Sequence, residues 1–185
     1  GAFEAVIGTV DFDPYHVLPK GVEVARSVAR ITVRGRDGVR GFGTGFLIAP
    51  NLLLTNNHVL NSADLAATSI ASFGYHENED GSPNTPDQYR LTGDPFVTSV
   101  SHDYAIVGIE PVSLDGRPLT DFGQISMLPR SGKALKSEHV NIIQHPQGSF
   151  KQVALRKNLV VGRKAQFIYY TADTLPGSSG APVFN

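Results

Sequence analysis

The stretch GTGFLIAPNLLLTNNHVL, residues 43–60, decides the fold. Apolar segments at 42–49 and 52–55 have the length of buried strands, and Pro50-Asn51 between them is a typical turn. His58 follows the second segment, where a short helical turn would direct its imidazole away from the sheet. An imidazole that titrates near pH 6.5 is a natural general base at neutral pH. A lone histidine in this position also fits a hydrogen-bonded structural residue.

Composition favours many short strands joined by turns. The chain has 185 residues, 41% of them hydrophobic, with 19 glycines and 12 prolines. This content of turn formers argues against an all-helical bundle. The absence of cysteine excludes disulfides, thiolate zinc sites and cysteine nucleophiles. No apolar run approaches the roughly 18 residues of a membrane-spanning helix, so no membrane segment is predicted.

Short segments that alternate between apolar and polar residues predict an all-β chain. Residues 28–34 are predicted to form a strand that ends in a turn at 36–38. With the strands at 42–49 and 52–55 it would form a three-stranded meander. Helical turns are predicted only at 22–28 and just after Thr55. Further strands are predicted at 69–75, 95–100, 104–109, 139–144, 150–156, 159–163, 166–171 and 181–184.

Two turn-rich segments set the predicted domain boundaries. Residues 74–88 are predicted to form a polar surface loop, and residues 111–129 a linker between two β-units. We therefore expect an N-terminal extension over 1–27 and an N-terminal barrel over 28–115. A linker and a C-terminal barrel follow over 116–185.

Charge is distributed unevenly although the net charge is only -1. Residues 74–115 contain eight acidic residues against one arginine, and residues 125–164 contain eight basic residues against one glutamate. Such a dipole can steer a charged substrate or partner. The interpretation that we favour is two solvated surfaces, with Lys and Arg at strand edges.

Two later segments carry further residues of chemical interest. Asp103 opens the apolar strand YAIVGI, where its carboxylate can orient another side chain or simply belong to a turn. In PGSSGAPVF, glycines on both sides of a serine pair allow a tight turn whose N–H groups converge beside a hydroxyl. That arrangement suits a nucleophile with an oxyanion hole, although an ordinary Gly-Ser turn has the same composition.

Together the segments GTGFLIAPNLLLTNNHVL, DYAIVGI, IIQHPQG and PGSSGAPVFN resemble a trypsin-like serine peptidase of the chymotrypsin fold. The resemblance is strongest to bacterial cysteine-free trypsin-like peptidase domains and to glutamyl endopeptidases. It extends from residue 28 to the end of the sequence. It implies two six-stranded antiparallel β-barrels of the chymotrypsin type, the second incomplete at the C-terminus.

The resemblance also implies a role for each matching residue. His58 corresponds to the general base, Asp103 to the orienting carboxylate and Ser179 to the nucleophile of a serine endopeptidase that forms an acyl-enzyme. The backbone N–H groups of Gly177 and Ser179 correspond to the oxyanion hole. No cofactor or metal is expected, and the expected partner is a polypeptide substrate, not nucleic acid or a membrane.

The sequence leaves two alternatives for the substrate preference of the pocket. Asp173 lies six residues before Ser179, where trypsin has the acid that binds Arg or Lys. Thr174 lies near the position where glutamyl endopeptidases have a threonine that favours acidic residues. Asp173 also fits a loop carboxylate bonded to nearby backbone. Ser178 stands where trypsin has an aspartate, so activation through a new N-terminal ion pair is not expected.

Family members continue beyond the strand that follows the nucleophile. The resemblance thus implies a truncated or nicked form of a larger trypsin-like protease, completed by a C-terminal fragment or a fused domain. The alternative function is a catalytically silent protease-like binding module. Secreted and cytosolic localisation both remain open.

Overall fold

Six antiparallel strands close into a barrel in the first half of the chain. The computed structural model describes residues 15–127, 138–155, 158–164, 167–171 and 175–184. It confirms the predicted β-rich fold and the first six-stranded barrel. The strands are β1 (Val28–Gly35), β2 (Gly38–Ala49), β3 (Leu52–Thr55), β4 (Ile70–Phe73), β5 (Asp87–Ser99) and β6 (Tyr104–Ile109). Around the barrel they follow the order β1-β2-β3-β6-β5-β4.

The barrel is filled by the alternate side chains that the sequence pattern predicts. On β1, Ala29, Ile31 and Val33 belong to one buried apolar cluster, together with residues from the other five strands. Phe73 and Tyr89 meet edge to face inside it, with ring centroids 5.5 Å apart. Burial of this apolar surface, at about 25 cal/mol per Å², is the main force that holds the barrel closed.

The outer face of the barrel is buried where it meets the second half of the chain. Val28 and Phe46 form a second cluster with Val24 from the preceding helix and Ile143 from a later strand. Strands β1 and β2 are therefore buried on both faces at this point. The cluster joins the barrel to the segments that carry the predicted nucleophile.

The helices differ from the sequence prediction. Helix α1 (Val17–Arg26) begins earlier than predicted, with Pro19 in its first turn, where proline is tolerated because that N–H needs no helical partner. Residues 56–60 form one helical turn, as expected after Thr55, with Leu60 N–H donating to Asn56 O. Helix α2 (Ala63–Thr68) follows, capped by the Ser62 hydroxyl, which accepts from Leu65 N–H at 3.3 Å.

Strand β5 is much longer than the predicted 95–100 and begins inside the predicted loop at 74–88. Gly93-Asp94-Pro95 has the composition of a turn. In the fold these residues lie within the strand, and the pairing of β5 with β6 shifts register between Thr92 and Phe96. Proline lacks the N–H that a regular ladder needs, so a bulge accommodates it.

In the described parts of the second half there are five short strands. They are β7 (Asn141–Gln144), β8 (Gln152–Ala154), β9 (Val160–Lys164), β10 (Phe167–Tyr170) and β11 (Val183–Phe184). Strands β11, β7 and β8 form one sheet, and β10 and β9 form another. Within the described residues these sheets do not close into a barrel. The predicted second six-stranded barrel is therefore not seen and stays a prediction.

Candidate active site

His58 and Asp103 form a direct pair at the rim of the barrel. His58 Nδ1 lies 2.7 Å from Asp103 Oδ2, and His58 N–H donates to Asp103 Oδ1 at 3.0 Å. An ionised carboxylate only accepts, so Nδ1 carries the proton in this bond. The neutral imidazole then has its lone pair on Nε2, the form that a general base requires.

The backbone around this pair is fixed by side-chain amides. Asp103 has φ +50°, an uncommon conformation for a residue other than glycine. Its carbonyl oxygen accepts from Asn56 Nδ2 at 2.6 Å. Asn57 Nδ2 donates to Thr98 Oγ1 at 2.7 Å, and Thr98 Oγ1 donates to Tyr104 O at 2.8 Å. The two asparagines before His58 thus tie its turn to the strands on either side of Asp103.

Two consecutive tight turns, 175–178 and 178–181, form the loop that carries Ser179, which lies in the second turn. Ser178 N–H donates to Leu175 O and Ala181 N–H donates to Ser178 O, each at 3.0 Å. The third residue of each turn is glycine, with φ +94° at Gly177 and +89° at Gly180. Type II turns require this positive φ, so the glycine spacing in the sequence determines the local conformation.

The two turns orient the N–H groups that were predicted to form the oxyanion hole. Pro176 O accepts from Gln147 N–H, and Ser178 O accepts from Ala181 N–H. In a trans peptide the N–H points away from the C=O of the same unit, so Gly177 N–H and Ser179 N–H point away from these contacts. Neither N–H has a hydrogen-bond acceptor within the described part of the chain.

Strand β2 anchors the loop through one threonine. Buried Thr44 donates its N–H to Ser179 O and its hydroxyl to Gly177 O, both at 2.8 Å. Its hydroxyl also accepts from His145 N–H at 3.1 Å. Gly180 packs directly against the Thr44 carbonyl, where a Cβ would overlap it.

A cleft of about 440 Å³ separates the barrel from the second half. Asp103 and Ser179 both line it, with an apolar wall that includes Phe46, Leu54 and Ile142. The structure therefore brings Asp103 and Ser179 to one cleft and attaches His58 to Asp103. In the described residues no hydrogen bond joins His58 Nε2 to Ser179 Oγ.

The other predicted site residues have different outcomes. Asp173 and Thr174 lie outside the described residues. Ser178 is buried, and its hydroxyl accepts from Leu175 N–H at 3.3 Å. This position therefore carries a neutral hydrogen bond within the turn.

The sequence did not single out two basic side chains of the second half, the buried His145 and the partly buried Lys151. Burial lowers the pKa of His145 to about 3, so this imidazole is neutral and donates from Nδ1 to Ser149 O at 3.0 Å. Burial also lowers the pKa of Lys151 to about 8, and its ammonium donates to Ala25 O. His145 lies in the segment IIQHPQG, and this was its one signal in the sequence.

The match to a known family covers most of the chain. Residues 43–185 match the model of the trypsin-like peptidase domain. The chain belongs to that family. The resemblance drawn from the sequence is thereby confirmed. Membership of this trypsin-like peptidase family supports a protease function.

Two curated relatives are similar along nearly the whole chain. An uncharacterized protein, y4fB, from Sinorhizobium fredii is 41% identical over 98% of this chain and 29% of its own length. The secreted RxLR effector protein 73 from Plasmopara viticola is 29% identical over 92% of this chain and 44% of its own length. The chain thus spans less than half the length of either relative.

Two solved structures share the fold of this trypsin-like peptidase domain. A serine endoprotease from Yersinia pestis superposes with a TM-score of 0.60 at 16% identity, covering 94% of this chain and 55% of that one. The inactive form of the Rv3671c protease superposes with a TM-score of 0.56 at 19% identity, covering 97% and 82%. At these identities the likeness concerns the fold alone.

Two other kinds of feature are not found in the described residues. No group of three or more His, Asp or Glu side chains is arranged there to hold a metal ion. No helix in the described ranges is long and apolar enough to cross a membrane.

Proposed function

We propose that this trypsin-like peptidase domain is a serine endopeptidase that cleaves polypeptides through an acyl-enzyme. His58, Asp103 and Ser179 would form the triad, and the N–H groups of Gly177 and Ser179 the oxyanion hole. The observation that carries the proposal is the 2.7 Å contact between His58 Nδ1 and Asp103, which leaves the imidazole lone pair on Nε2.

In the proposed reaction Ser179 Oγ attacks the peptide carbonyl carbon while His58 Nε2 takes the hydroxyl proton. Asp103 holds the tautomer and stabilises the imidazolium. The N–H groups of Gly177 and Ser179 stabilise the oxyanion of the tetrahedral intermediate. The C–N bond then breaks, the amine leaves with the proton from His58, and water hydrolyses the acyl ester by the same steps.

The substrate preference remains a choice between two proposals. Asp173 in the pocket predicts cleavage after Arg or Lys, whereas a glutamyl-type pocket at Thr174 predicts cleavage after acidic residues. A cleavage profile on a peptide library separates them directly. Loss of the basic preference in Asp173→Asn, with overall turnover of other peptides unchanged, would support the first.

We also propose that further strands complete the second barrel, supplied by a C-terminal fragment or a fused domain. The cleft beside Asp103 supports this, because apolar residues line it and about half of the Asp103 side chain, 42%, remains exposed there. Adding a chain segment that covers this cleft should increase both thermal stability and activity. A longer chain with unchanged activity and stability would contradict the proposal.

The alternative is a protease-like binding module without turnover. The lack of a hydrogen bond between His58 and Ser179 among the described contacts favours this alternative, since a general base acts on the nucleophile through such a bond. A module of this kind binds polypeptides in the cleft but leaves them intact.

A fluorophosphonate probe, which phosphonylates an activated serine, separates the two functions. An endopeptidase is labelled, Ser179→Ala abolishes the labelling, and His58→Ala lowers its rate by roughly 10³-fold or more. Ser82→Ala, a change in an exposed loop, serves as the matched control and should be labelled like the parent chain. If the parent chain is folded but is not labelled, the endopeptidase proposal is wrong and the result supports the binding module.

A further inference from the structure

A short turn at residues 145–148 packs directly against Gly177. A Cβ at Gly177 would lie 2.7 Å from His145 O, 2.8 Å from Gly148 N and 2.9 Å from Gln147 N. The turn is closed by Gly148 N–H, which donates to His145 O at 3.0 Å, and by Ser149 N–H, which donates to Pro146 O at 2.9 Å. Its shape therefore determines the space available to the peptide before Gly177.

One hydrogen bond from this turn sets the direction of the Gly177 N–H. Gln147 N–H donates to Pro176 O, which fixes the plane of the Pro176–Gly177 peptide. If that plane rotated by half a turn, the carbonyl would point where the N–H now points. A carbonyl oxygen there would repel a developing oxyanion instead of stabilising it.

The turn needs support from outside because its own backbone is strained. Gln147 has φ +54° and ψ 22°, a left-handed conformation that is unfavourable for a residue with a Cβ. A conformation of this kind persists only when the surroundings hold it. The contacts of the next residue, Gly148, show where that support comes from.

Arg30 on β1 holds Gly148 in place. Arg30 Nη1 donates to Gly148 O at 3.1 Å across 118 residues of sequence. The guanidinium lies 3.7 Å from the centre of the Tyr75 ring and 5.3 Å from that of Phe42. Gly148 in turn packs so closely on the Phe42 ring that a Cβ could not fit between them.

We propose that Arg30 is a positioning residue for the oxyanion hole, acting through Gly148 and Gln147 on the Pro176–Gly177 peptide. This inference rests on the proposed function. Arg30 does not contact the substrate; it keeps the turn at 145–148 in the conformation in which Gln147 N–H holds Pro176 O. A planar guanidinium can stack on Tyr75 and donate sideways at the same time, which an ammonium cannot do.

The test compares Arg30→Met and Arg30→Lys with a change of a matched arginine, Arg117, in the segment that follows β6. Arg117 also stacks on an aromatic ring, 4.7 Å from the centre of Phe122, but it lies away from the turn and pairs with Asp87 and Asp121. Arg117→Met therefore controls for the loss of a stacked cation. All variants are first compared by thermal unfolding and circular dichroism.

Two measurements test the proposal: the first is of catalytic activity, and the second is of amide exchange, which does not depend on activity. In Arg30→Met we expect kcat on a peptide substrate and the rate of fluorophosphonate labelling to fall about 10- to 100-fold, with KM changed less than about 3-fold. Arg30→Lys should recover part of this loss, and Arg117→Met should match the parent chain. In hydrogen–deuterium exchange, the amide of Gln147 should exchange at least about 10-fold faster in Arg30→Met and at the parent rate in Arg117→Met.

The outcomes separate this inference from the proposed function. If the parent chain is not labelled, the endopeptidase proposal fails, and the Gln147 amide still decides whether Arg30 holds the turn. If the parent chain is labelled but Arg30→Met keeps full kcat and unchanged Gln147 exchange, the positioning role is wrong. A loss of activity equal in Arg30→Met and Arg117→Met would also overturn it, because a general loss of stability would then be the cause.

Discussion

The hydroxyl of Thr44 donates to the carbonyl oxygen of Gly177 at 2.8 Å across 133 residues of sequence. The same hydroxyl accepts from His145 N–H at 3.1 Å. One side chain on β2 thus joins the proposed oxyanion loop to the turn that packs against it. Both partners are main-chain groups, so only the threonine can be changed to break the connection.

Thr44→Val should destabilise the protein by about 2–4 kcal/mol, because it leaves a buried N–H and a buried C=O without partners. Thr44→Ser keeps the hydroxyl and should lose less than half as much. Urea unfolding measures both values. Thr32→Val, at another buried threonine, is the control. An equal loss of stability in that variant would mean that the hydrogen bonds of Thr44 to Gly177 and His145 do not stabilise the protein more than those of an average buried threonine.

Asp103→Asn should lower the rate of fluorophosphonate labelling by about 10⁴-fold with little change in stability. The asparagine oxygen can still accept His58 N–H, as Asp103 Oδ1 does. Its NH₂ group then faces Nδ1, so the imidazole proton moves to Nε2 and the base is lost. Asp80→Asn, which changes an exposed carboxylate bonded to Ser82, should label normally. Labelling of Asp103→Asn within about 10-fold of the parent rate would contradict this role.

Gly180→Ala should cost at least about 2 kcal/mol more than Gly116→Ala, because overpacking adds to the backbone penalty. Both glycines have φ near +90°, so the backbone penalty of about 1–2 kcal/mol is shared. A methyl group at Gly116 would point into open space, whereas at Gly180 it would overlap Thr44 O and Thr55 Oγ1. Differential scanning calorimetry compares the two. Equal losses would mean that the loop moves freely away from β2.

The strands that the sequence predicted well are those with a local signal. The predicted bounds of β3 and β6 agree with the structure, because apolar runs end at clear turns on both sides. His58 and Asp103 follow from the same two segments, and the structure pairs them. Ser179 follows from the glycines that its turns require.

The residues that the sequence did not predict act through long-range contacts. Nothing local in β1 marks Arg30 as the partner of Gly148, or in β2 marks Thr44 as the partner of Gly177. The predicted strand at 95–100 misses the first half of β5, because a register shift carries the strand through Pro95 and no local pattern reports that shift. Burial of His145 and Lys151 depends on packing between distant segments, which periodicity does not report.

His145 should make the protein acid-sensitive. Burial, with added repulsion from Lys151, Arg30 and His76, lowers its pKa to about 3, below the usual 6.5. Between these two values the unfolded chain binds a proton that the native protein excludes. Stability from this group is therefore present above pH 6.5 and is lost as pH falls toward 3, by up to about 1.4 kcal/mol per pH unit.

Urea unfolding between about pH 7 and about pH 4.5 measures that slope. His145→Asn cannot bind this proton, although its amide can still donate to Ser149 O. The stability of this variant should therefore fall less steeply with pH than that of the parent chain, by the contribution of one proton bound in the unfolded state. His16→Asn, at an exposed residue before α1, should keep the parent slope. If His145→Asn and the parent chain lose stability in parallel as pH falls, the imidazole at 145 takes up its proton in the native state, and its burial does not exclude the charge.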